Sequence, residues 1–504
     1  MPLTDHRSGV MRTLRVVTAA TVVALVAACG STVPPAQLGA PASVRPSGEL
    51  AGPPTAAPAP GATAGTGSTG VVTGPGGIVT GPGATSTVGP TTGPVSPGAL
   101  GSSRVTGPIS LGVLYLVNDA AAPAGIDNGN TITASRVMHA YVDSWNHSGG
   151  IGGRRIDPVY FGVHSYNNNY EGQIAAACSA FTEDHHVAAV LMQLQYYSEQ
   201  LLGCLRQANV PLISGDFTAP DRQDARRFPL FVTPLSQVGE DRESAVVRHL
   251  VDDRFLSARN RVGVIVEDCG VDNRIYSNGL VPALRQAHVP LGSTFRTQCF
   301  QSVQDFGAQT SQMSGAVLQF RQDRVDRVMV VSAGAEANIV FAFSEVAENQ
   351  RYRPGYGLSS VAIPVALQLN VAPAQMQNMR GVGWLPVLDT TVRSQSPATP
   401  TGNACLKRLR DQGVDAQTQT DRWTAYSGCE VFALYDRLLR ATAGNADPAA
   451  VLGAVPAVMR SYVAAATIDG HVGVRNGRPT PSVGRIFAYD SAHGFHYVSG
   501  SFGL

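Results

Sequence analysis

The chain has 504 residues, of which 14% are charged, and its 37 Lys and Arg residues against 36 Asp and Glu give a formal net charge of +1. The length suits about two to three domains, and the near-zero charge excludes the basic excess of a nucleic-acid-binding protein and an acidic solvating tail. Gly and Pro are concentrated between Ser31 and Pro108, where Arg45, Glu49 and Arg104 are the only charged residues and aromatic residues are absent. Such a stretch cannot bury enough apolar surface to offset its ordering entropy, which leaves about 400 residues for the folded protein.

The N-terminus has the pattern of an export signal. Basic residues precede the apolar run Val16–Ala28, which is too short to span a bilayer and suits the core of a signal peptide. The run ends in Val26–Gly30, which resembles a bacterial lipobox, in which the cysteine, here Cys29, is diacylated and becomes the new N-terminus. We therefore predict a lipoprotein signal peptide over residues 1–28, with Met11 as an alternative start, and lipid anchoring on the extracytoplasmic face of the cell membrane. The alternative is an ordinary secretory signal with an incidental cysteine.

Residues 29–108 are predicted to form a disordered tether that carries the lipid at its first residue. Thr-Gly-Pro occurs in it four times, at Thr73–Pro75, Thr80–Pro82, Thr92–Pro94 and Thr106–Pro108. A Gly-rich coil of this length has an end-to-end distance of about 50 Å, and its prolines stiffen it. The segment is either a spacer that holds a domain away from the membrane or low-complexity filler, and neither interpretation places chemistry there.

From Ile109 onward, short apolar runs alternate with helical patterns. The predicted strands are Ile109–Leu116, Val159–Phe161, Val187–Met192, Val210–Ser214, Val262–Val266, Arg327–Val331 and Val382–Leu385. The predicted helices are Thr133–His147, Tyr170–Phe181, Ser198–Ala208, Glu240–Val251, Tyr276–Ala287, Thr310–Phe320 and Ala335–Glu348. This alternation predicts an α/β protein whose parallel sheets are covered by helices on both faces. In such proteins, ligands bind beyond the carboxyl ends of the strands.

Six cysteines remain besides Cys29, and an exported protein is expected to form disulfides from them. They are Cys178, Cys204, Cys269, Cys299, Cys405 and Cys429. Six cysteines allow fifteen connectivities. Pairing of sequence neighbours would close loops of about 25 to 30 residues, each worth roughly 3–4 kcal/mol. The sequence has no C-x-x-C motif, and the His185–His186 pair is predicted to be a solvated loop, so no metal or cofactor is predicted.

Four segments occur in the order and approximate spacing of a known family. They are Asn146–Ile156, Gln207–Pro220, Pro229–Pro234 and Val262–Gly279. Together they resemble the leucine/isoleucine/valine-type substrate-binding proteins of ABC transporters, which are type 1 periplasmic binding proteins. The resemblance extends over essentially Ile109–Leu504. It implies two Rossmann-like lobes joined by three crossovers, with lobe 1 at about 109–234 and 383–466 and lobe 2 at about 235–382 and 467–504.

The resemblance also implies ligand-binding residues in lobe 1. The loop before the Ser198 helix faces the cleft, which selects Gln195, Tyr196, Tyr197 and Ser198. The family usually has small hydroxyl residues there, and the bulkier Gln-Tyr-Tyr departs from an ordinary α-amino-acid site. Thr218 matches a ligand-contacting hydroxyl of the family, and Asp216 is close to it in sequence. The alternatives are tyrosines packed under the loop and Thr218 as a helix N-cap.

In lobe 2, Tyr276 matches an aromatic residue that the family places over the ligand. Glu336 follows a predicted strand, where an acid can pair with an ammonium group, and a solvated carboxylate at a helix start is the alternative. Many relatives have an ammonium-binding acid near Ser359–Ser360, where this chain has serines. This second departure leaves small neutral or polar ligands open.

The predicted function is capture of a small polar metabolite (an amino acid, amide or urea-like compound) between the lobes and its delivery to an ABC permease. A ligand-sensing or interaction lipoprotein of the same fold is the alternative. The sequence contains no G-x-S-x-G, H-E-x-x-H or G-x-x-x-x-G-K-[ST] motif, so no enzymatic activity is predicted.

Overall fold

The computed structural model of the chain describes residues 105–117, 129–164, 169–194, 197–300, 305–334 and 336–504. The predicted signal peptide, Cys29 and nearly all of the predicted tether lie outside these residues. The predictions for that part of the chain therefore stay predictions.

The first sheet has five parallel strands in the order β2-β1-β3-β4-β5. These strands are β1 (Ile109–Val117), β2 (Ile156–His164), β3 (Ala189–Gln193), β4 (Leu212–Ser214) and β5 (Phe231–Val232). β1 is an interior strand of this sheet and is almost entirely buried, as its unbroken apolar run predicts for a strand covered on both faces. The order places the carboxyl ends of β2 and β3 on either side of β1.

The second sheet has the order β14-β13-β10-β9-β8-β6-β7, and β15 pairs with β13. The remaining strands are β6 (Val262–Glu267), β7 (Leu291–Thr297), β8 (Arg327–Val331), β9 (Gly355–Ser359), β10 (Met379–Gly383), β11 (Val472–Arg475), β12 (Arg478–Pro481), β13 (Val483–Asp490), β14 (Gly494–Tyr497) and β15 (Phe502–Gly503). The strands from β10 to β7 are parallel, whereas β13 and β14 are antiparallel. β11 and β12 form a separate hairpin.

Helices cover both faces of each sheet. They are α1 (Ala134–His147), α2 (Tyr170–Ser179), α3 (Glu199–Gln207), α4 (Arg222–Arg227), α5 (Gly239–Asp252), α6 (Gly270–Ile275), α7 (Val281–Gln286), α8 (Asp305–Gln322), α9 (Glu336–Asn349), α10 (Pro364–Asn370), α11 (Pro373–Met376), α12 (Pro386–Asp389), α13 (Pro400–Asp411), α14 (Gln419–Ala441) and α15 (Pro448–Met459). One face of the first sheet packs on α1 and α13 to α15, and the other packs on α2 and α3. The second sheet packs on α8 to α10 on one face and on α5 to α7 on the other. We call the first sheet with its helices lobe 1 and the second sheet with its helices lobe 2.

The chain passes between the lobes three times: after β5, after β10 and between α15 and β13. The third passage brings β13 to β15 into the second sheet. The predicted fold class is therefore observed: parallel sheets flanked by helices in two lobes joined by three crossovers.

The Gly-rich turn that follows α1 is built as its sequence requires. Gly149, Gly150, Gly152 and Gly153 all have positive φ, between 61° and 96°. A Cβ on Gly150 would lie only 1.9 Å from the carbonyl oxygen of Arg154. Glycine is needed here because no other residue adopts this backbone without strain and collision. The turn directs the chain from α1 into β2.

The six described cysteines pair with their sequence neighbours. The disulfides are Cys178–Cys204, Cys269–Cys299 and Cys405–Cys429, with sequence separations of 26, 30 and 24 residues. The first joins α2 to α3 in lobe 1, and the third joins α13 to α14. The second joins the start of α6 to the segment after β7 in lobe 2. The neighbouring-pair prediction is therefore the one observed among the fifteen connectivities.

Most predicted elements before residue 385 are present, with ends shifted by a few residues. The predicted strand Val382–Leu385 is Met379–Gly383, and the predicted helix Tyr276–Ala287 is part of a longer segment in which a π-helical turn, Tyr276–Leu280, joins α6 to α7. His185 and His186 are exposed, as predicted. Among the described helices, none combines the length and apolar character needed to cross a bilayer.

Candidate functional site

A cavity of about 410 Å³ lies between the two lobes. Its residues follow β2 and β3 in lobe 1 and β6, β7 and β8 in lobe 2, all at the carboxyl ends of parallel strands. This edge is where open α/β sheets collect ligand-binding groups, and the volume falls within the usual range of about 300–1,000 Å³ for small-molecule sites. We call its two sides the lobe-1 wall (Tyr170, Glu171 and residues 197–200) and the lobe-2 wall (residues 267–272, 299–300 and 332–334).

The lobe-1 wall consists of the starts of α2 and α3. Ser198 is the N-cap of α3, and its Oγ accepts a hydrogen bond from the Leu201 N–H at 3.2 Å. The Tyr197 hydroxyl donates to Asp224 Oδ2 at 3.0 Å, and burial together with this carboxylate raises the pKa of Tyr197 above its ordinary value. Because Cys178–Cys204 joins α2 to α3, the two halves of this wall are covalently linked.

Glu267, at the end of β6, is the buried acid at the centre of the lobe-2 wall. Its Oε1 accepts from the Phe300 N–H at 3.0 Å and from Gln309 Nε2 at 3.1 Å. Burial raises the pKa of Glu267 to about 7, although hydrogen bonds from Ser332, Phe300 and Gln309 oppose the shift. The carboxyl group is therefore held in place, and its burial favours the protonated form.

Asp272, on α6, is a second buried acid in the same wall. Its Oδ1 accepts from the Ala333 N–H at 2.6 Å. Burial first, and then the charge of Glu267, raise the pKa of Asp272 well above its ordinary value. One side-chain atom each of Glu267, Cys269 and Asp272, of a kind that can coordinate a metal, lies within 4.8 Å of the other two. The Cys269 sulfur is in a disulfide and is not a thiolate, so the available groups here are two carboxyl groups.

Arg274 connects the two walls. This residue of α6 donates through Nε to Asp221 Oδ2 and through Nη2 to Asp224 Oδ2 at 2.8 Å, and both aspartates are fully buried in lobe 1. A longer contact of 3.4 Å reaches Glu199 of the lobe-1 wall. Because a buried carboxylate without a partner is costly, Arg274 stabilises the approach of the lobes at this edge of the cavity.

Arg242, on α5, lies beneath the lobe-2 wall and is fully buried. Its Nε donates to Glu243 Oε1 at 2.9 Å, and its Nη2 donates to the Ser332 carbonyl at 2.8 Å. The guanidinium therefore supports the segment after β8 from below and is not itself part of the cavity lining.

The structure places two of the predicted lobe-1 site residues in the cavity. Tyr197 and Ser198 line it, and the Tyr197 ring also packs against apolar clusters of both lobes. The Tyr197 ring therefore both lines the cavity and packs under the loop, and the ligand-binding roles of Tyr197 and Ser198 stay predictions. Gln195 and Tyr196 lie outside the described residues.

Asp216 and Thr218 are buried and do not line this cavity. Asp216 Oδ1 accepts from the Phe217 N–H at 2.7 Å, and burial raises the pKa of Asp216 to about 7. The Thr218 hydroxyl has no hydrogen-bond partner among the described residues. The N-cap alternative for Thr218 is wrong, because the next helix begins at Arg222 and is capped by Asp221.

Tyr276 and Glu336 also lie away from the cavity lining. The Tyr276 hydroxyl is hydrogen-bonded to Thr294 Oγ1 at 2.7 Å. Glu336 is 2% exposed and accepts from the N–H and Oγ of Ser359, so the solvated alternative is wrong. Burial raises the pKa of Glu336 to about 7. The ligand-binding roles of Asp216, Thr218, Tyr276 and Glu336 stay predictions.

Glu267 and Asp272 are the buried acids of the cavity lining, and neither is predicted from the sequence as a site residue. Glu267 directly follows the predicted strand Val262–Val266, so the rule that ligands bind beyond strand ends could have selected it. Asp272 follows five residues later at the start of a short helix, and its sequence context does not distinguish it from a solvated helix-start acid.

Comparison with known proteins identifies the fold. No protein-family model matches the chain, and no curated protein matches its sequence. A solute-binding protein of an ABC transporter from Rhodopseudomonas palustris HaA2, solved with p-hydroxybenzoic acid, is similar at a TM-score of 0.56 and 13% identity, over 79% of this chain and 97% of that one. A leucine-binding protein from Thermotoga maritima is similar at 0.55 and 11% identity, over 78% and 98% of the two chains. A substrate-binding periplasmic protein from Ralstonia solanacearum is similar at 0.54 and 15% identity, over 77% and 99%.

Proposed function

Since the chain has the fold of the type 1 periplasmic binding proteins, we propose that it is an extracytoplasmic solute-binding lipoprotein. It captures a small polar metabolite between its lobes and delivers it to an ABC permease. The proposal assigns residues 1–28 to the signal peptide, 29–108 to the lipidated tether and 109–504 to the binding domain with the lobe boundaries predicted above.

The cavity between the lobes is the observation that carries this proposal. It is lined by both lobes at the carboxyl ends of their strands, and it has a volume suited to a small metabolite. The lobes join through three connections, an arrangement in which hinge motion can open and close a cleft.

Ligand capture is tested by calorimetric titration and thermal-shift screening of the full chain, purified in detergent. The compounds are amino acids, amides, urea, amines and sugars. A ligand at about 100 times its dissociation constant is expected to stabilise the chain by roughly 2.7 kcal/mol. The proposal fails if no compound from this panel shifts the unfolding midpoint or releases binding heat.

A pair of variants on one helix locates the binding site. Gln200→Trp places a bulky ring at an exposed position of the lobe-1 wall and is expected to abolish binding by filling the cavity. Arg206→Trp makes the same change at an exposed position of α3 outside the lining and should bind normally. Equal affinities in both variants would place the site elsewhere.

Lipid anchoring has its own test. Cys29→Ser is expected to move the chain from the membrane fraction to the soluble exported fraction and to abolish labelling with a fatty-acid analogue. Ligand binding should be unchanged in this variant. A chain that still labels and sediments with membranes would exclude Cys29 as the anchor.

A further inference from the structure

The cavity is unusually rich in acid for a site that would take a carboxylate ligand. Five acidic residues line it, and no Lys, Arg or His is among its described lining residues. They are Glu171, Glu199, Glu267, Asp268 and Asp272. Glu199 forms ion pairs with Arg227 and Arg274, and Asp268 forms one with Arg296. Among the described residues, no cation lies within ion-pair distance of Glu171 or of the buried acids Glu267 and Asp272, because Arg242 pairs with Glu243 and Arg274 with Asp221 and Asp224.

Asp272 gives an independent indication of an absent partner. The residue is only 1% exposed, and its small accessible surface belongs to the cavity lining. Its Oδ1 accepts from the Ala333 N–H, whereas no donor among the described residues reaches its Oδ2 within hydrogen-bond distance. A cationic ligand in the cavity would place positive charge beside this oxygen, and a primary ammonium group would also donate a hydrogen bond to it.

Aromatic rings complete the arrangement. Tyr170 and Tyr197 of the lobe-1 wall and Phe300 of the lobe-2 wall all line the cavity. The faces of aromatic rings attract ammonium groups, and cages that combine such rings bind quaternary ammonium compounds. Rings from both walls and the buried carboxyl groups of the lobe-2 wall thus border the same space.

We propose that the cavity binds an organic cation of the alkylammonium class, with its charged nitrogen at Asp272 and Glu267 and its alkyl part against Tyr170, Tyr197 and Phe300. This inference rests on the proposed function and specifies its ligand class. It departs from the carboxylate-bearing ligands named for two of the similar structures, p-hydroxybenzoic acid and leucine. A carboxylate placed here would meet the acidic lining without a counter-ion.

The test is calorimetric titration of the full chain in detergent with matched compounds. Choline and putrescine supply a quaternary and a primary ammonium group, and 3,3-dimethylbutan-1-ol is the neutral isostere of choline, in which carbon replaces nitrogen. At least one of the two cations is expected to bind, and choline at least about tenfold more tightly than its isostere if choline is that cation. Leucine, 4-hydroxybenzoate and CaCl₂ are titrated separately as alternative ligands.

The outcomes separate this inference from the proposed function. Binding of leucine, 4-hydroxybenzoate or a neutral compound without binding of either ammonium compound overturns the ligand class and leaves solute capture standing. Binding of Ca²⁺ alone also overturns it, since the site would then be a metal site. Binding of nothing from the wider panel overturns both.

Two variants test the charge at Asp272 itself. Asp272→Asn keeps an oxygen for the Ala333 N–H and removes the charge, and it is expected to weaken cation binding about tenfold or more. Asp415→Asn removes the same charge from an exposed position outside the lining and should change the affinity less than twofold. If Asp272→Asn does not fold, Glu171→Gln at the exposed edge of the lobe-1 wall replaces it, with an expected loss of about two- to fivefold. Unchanged affinity in the folded variant overturns the assignment.

Discussion

The two walls of the cavity differ in burial and in charge, although both lie at the carboxyl ends of parallel strands. The lobe-1 wall presents helix starts whose acids, Glu171 and Glu199, remain at least partly exposed. The lobe-2 wall presents Glu267 and Asp272, which are almost fully buried. Exposed acids keep much of their hydration, whereas buried ones need a partner. In the proposed cation site, the buried acids of the lobe-2 wall select the charge of the ligand, whereas the lobe-1 wall supplies two of the three rings and an exposed edge.

Removing a disulfide is expected to have the largest effect on stability and to test whether the lobe-2 wall determines binding. Replacing Cys269 and Cys299 by serine is expected to lower the free energy of unfolding by about 3.5 kcal/mol, because the bond closes a loop of 30 residues. The ligand affinity should fall as well, since both cysteines line the cavity and their bond holds the chain near Asp272. Urea denaturation and calorimetric titration measure the two effects.

The matched control is the pair Cys405 and Cys429, which joins α13 to α14 outside the cavity. Its loop of 24 residues is similar, so the serine variant should lose a similar amount of stability, about 3.5 kcal/mol. Its ligand affinity should be unchanged. Equal affinity losses in the two double variants would contradict a specific role for the lobe-2 bond.

Arg274→Met tests the ion pairs that connect the walls. The change leaves Asp221 and Asp224 buried without their cation, and we expect a loss of about 3 kcal/mol in the free energy of unfolding. Ligand affinity should fall too, because the closed arrangement of the lobes loses a contact. Arg285→Met, at an exposed position of α7, is the control and should be near neutral. A stable Arg274→Met variant would show that the lobes close without this arginine.

Sequence patterns were informative where strands and helices are strongly apolar on one face. β1, α1 and β8 match their predicted spans to within a residue, because each combines an apolar run or stripe with a clear start or stop signal. After residue 385 the sequence patterns predict no individual strand or helix. The 23-residue α14 buries Asp421, Arg422 and Glu430 among its apolar residues, so its polar composition hid a core helix.

The candidate site was predictable in position more than in chemistry. The strand-end rule led to Tyr197 and Ser198, which line the cavity. Burial of a carboxyl group depends on what packs over it from distant segments, here Phe300 and Ala333, and local sequence does not contain that information. Asp272 therefore became visible only with the tertiary structure.

The raised pKa of Glu267 predicts that both stability and cation affinity depend on pH, and that the dependence of affinity comes from lobe 2. The carboxyl group has an ordinary pKa of 4.5, which burial raises to about 7 in the folded chain. Between these values the folded state keeps a proton that the unfolded state has lost, so stability falls as pH rises through this window. Cation binding needs the charged form, and affinity should therefore rise with pH up to about 7, by up to about tenfold per unit.

Neighbouring groups both raise and lower the pKa of Glu267. Asp272 of α6 and Asp305 of α8 oppose its ionisation, whereas Gln309 and Ser332 donate to it. Glu267→Gln is expected to reduce the pH dependence of binding, measured by titration between about pH 5.5 and 8, and the dependence that remains is assigned to Asp272, whose pKa is also raised.

Glu430 provides the control in lobe 1. It is buried, its pKa is also raised to about 7 by burial, and it accepts from the Tyr462 hydroxyl and the Ala465 N–H outside the cavity lining. Glu430→Gln should flatten the pH dependence of stability and leave that of binding unchanged. A pH-dependent affinity that persists in Glu267→Gln and disappears in Glu430→Gln would reverse the assignment of charge selection to lobe 2.

A substitution at Thr218 is expected to change stability and affinity least. It distinguishes the ligand contact predicted from the sequence from the buried position observed in the structure. The family resemblance predicts a ligand contact, whereas the structure buries the hydroxyl away from the cavity lining without a partner among the described residues. Thr218→Val replaces the hydroxyl by a methyl group of similar shape. Because an unpaired buried hydroxyl is unfavourable, the geometry predicts a gain of up to about 1 kcal/mol in stability. It also predicts an affinity within about twofold of the unaltered chain, a difference of less than about 0.5 kcal/mol. A tenfold loss of affinity in a chain of normal stability would instead place Thr218 on the ligand, and the site would then extend from the cavity towards the crossover at β5.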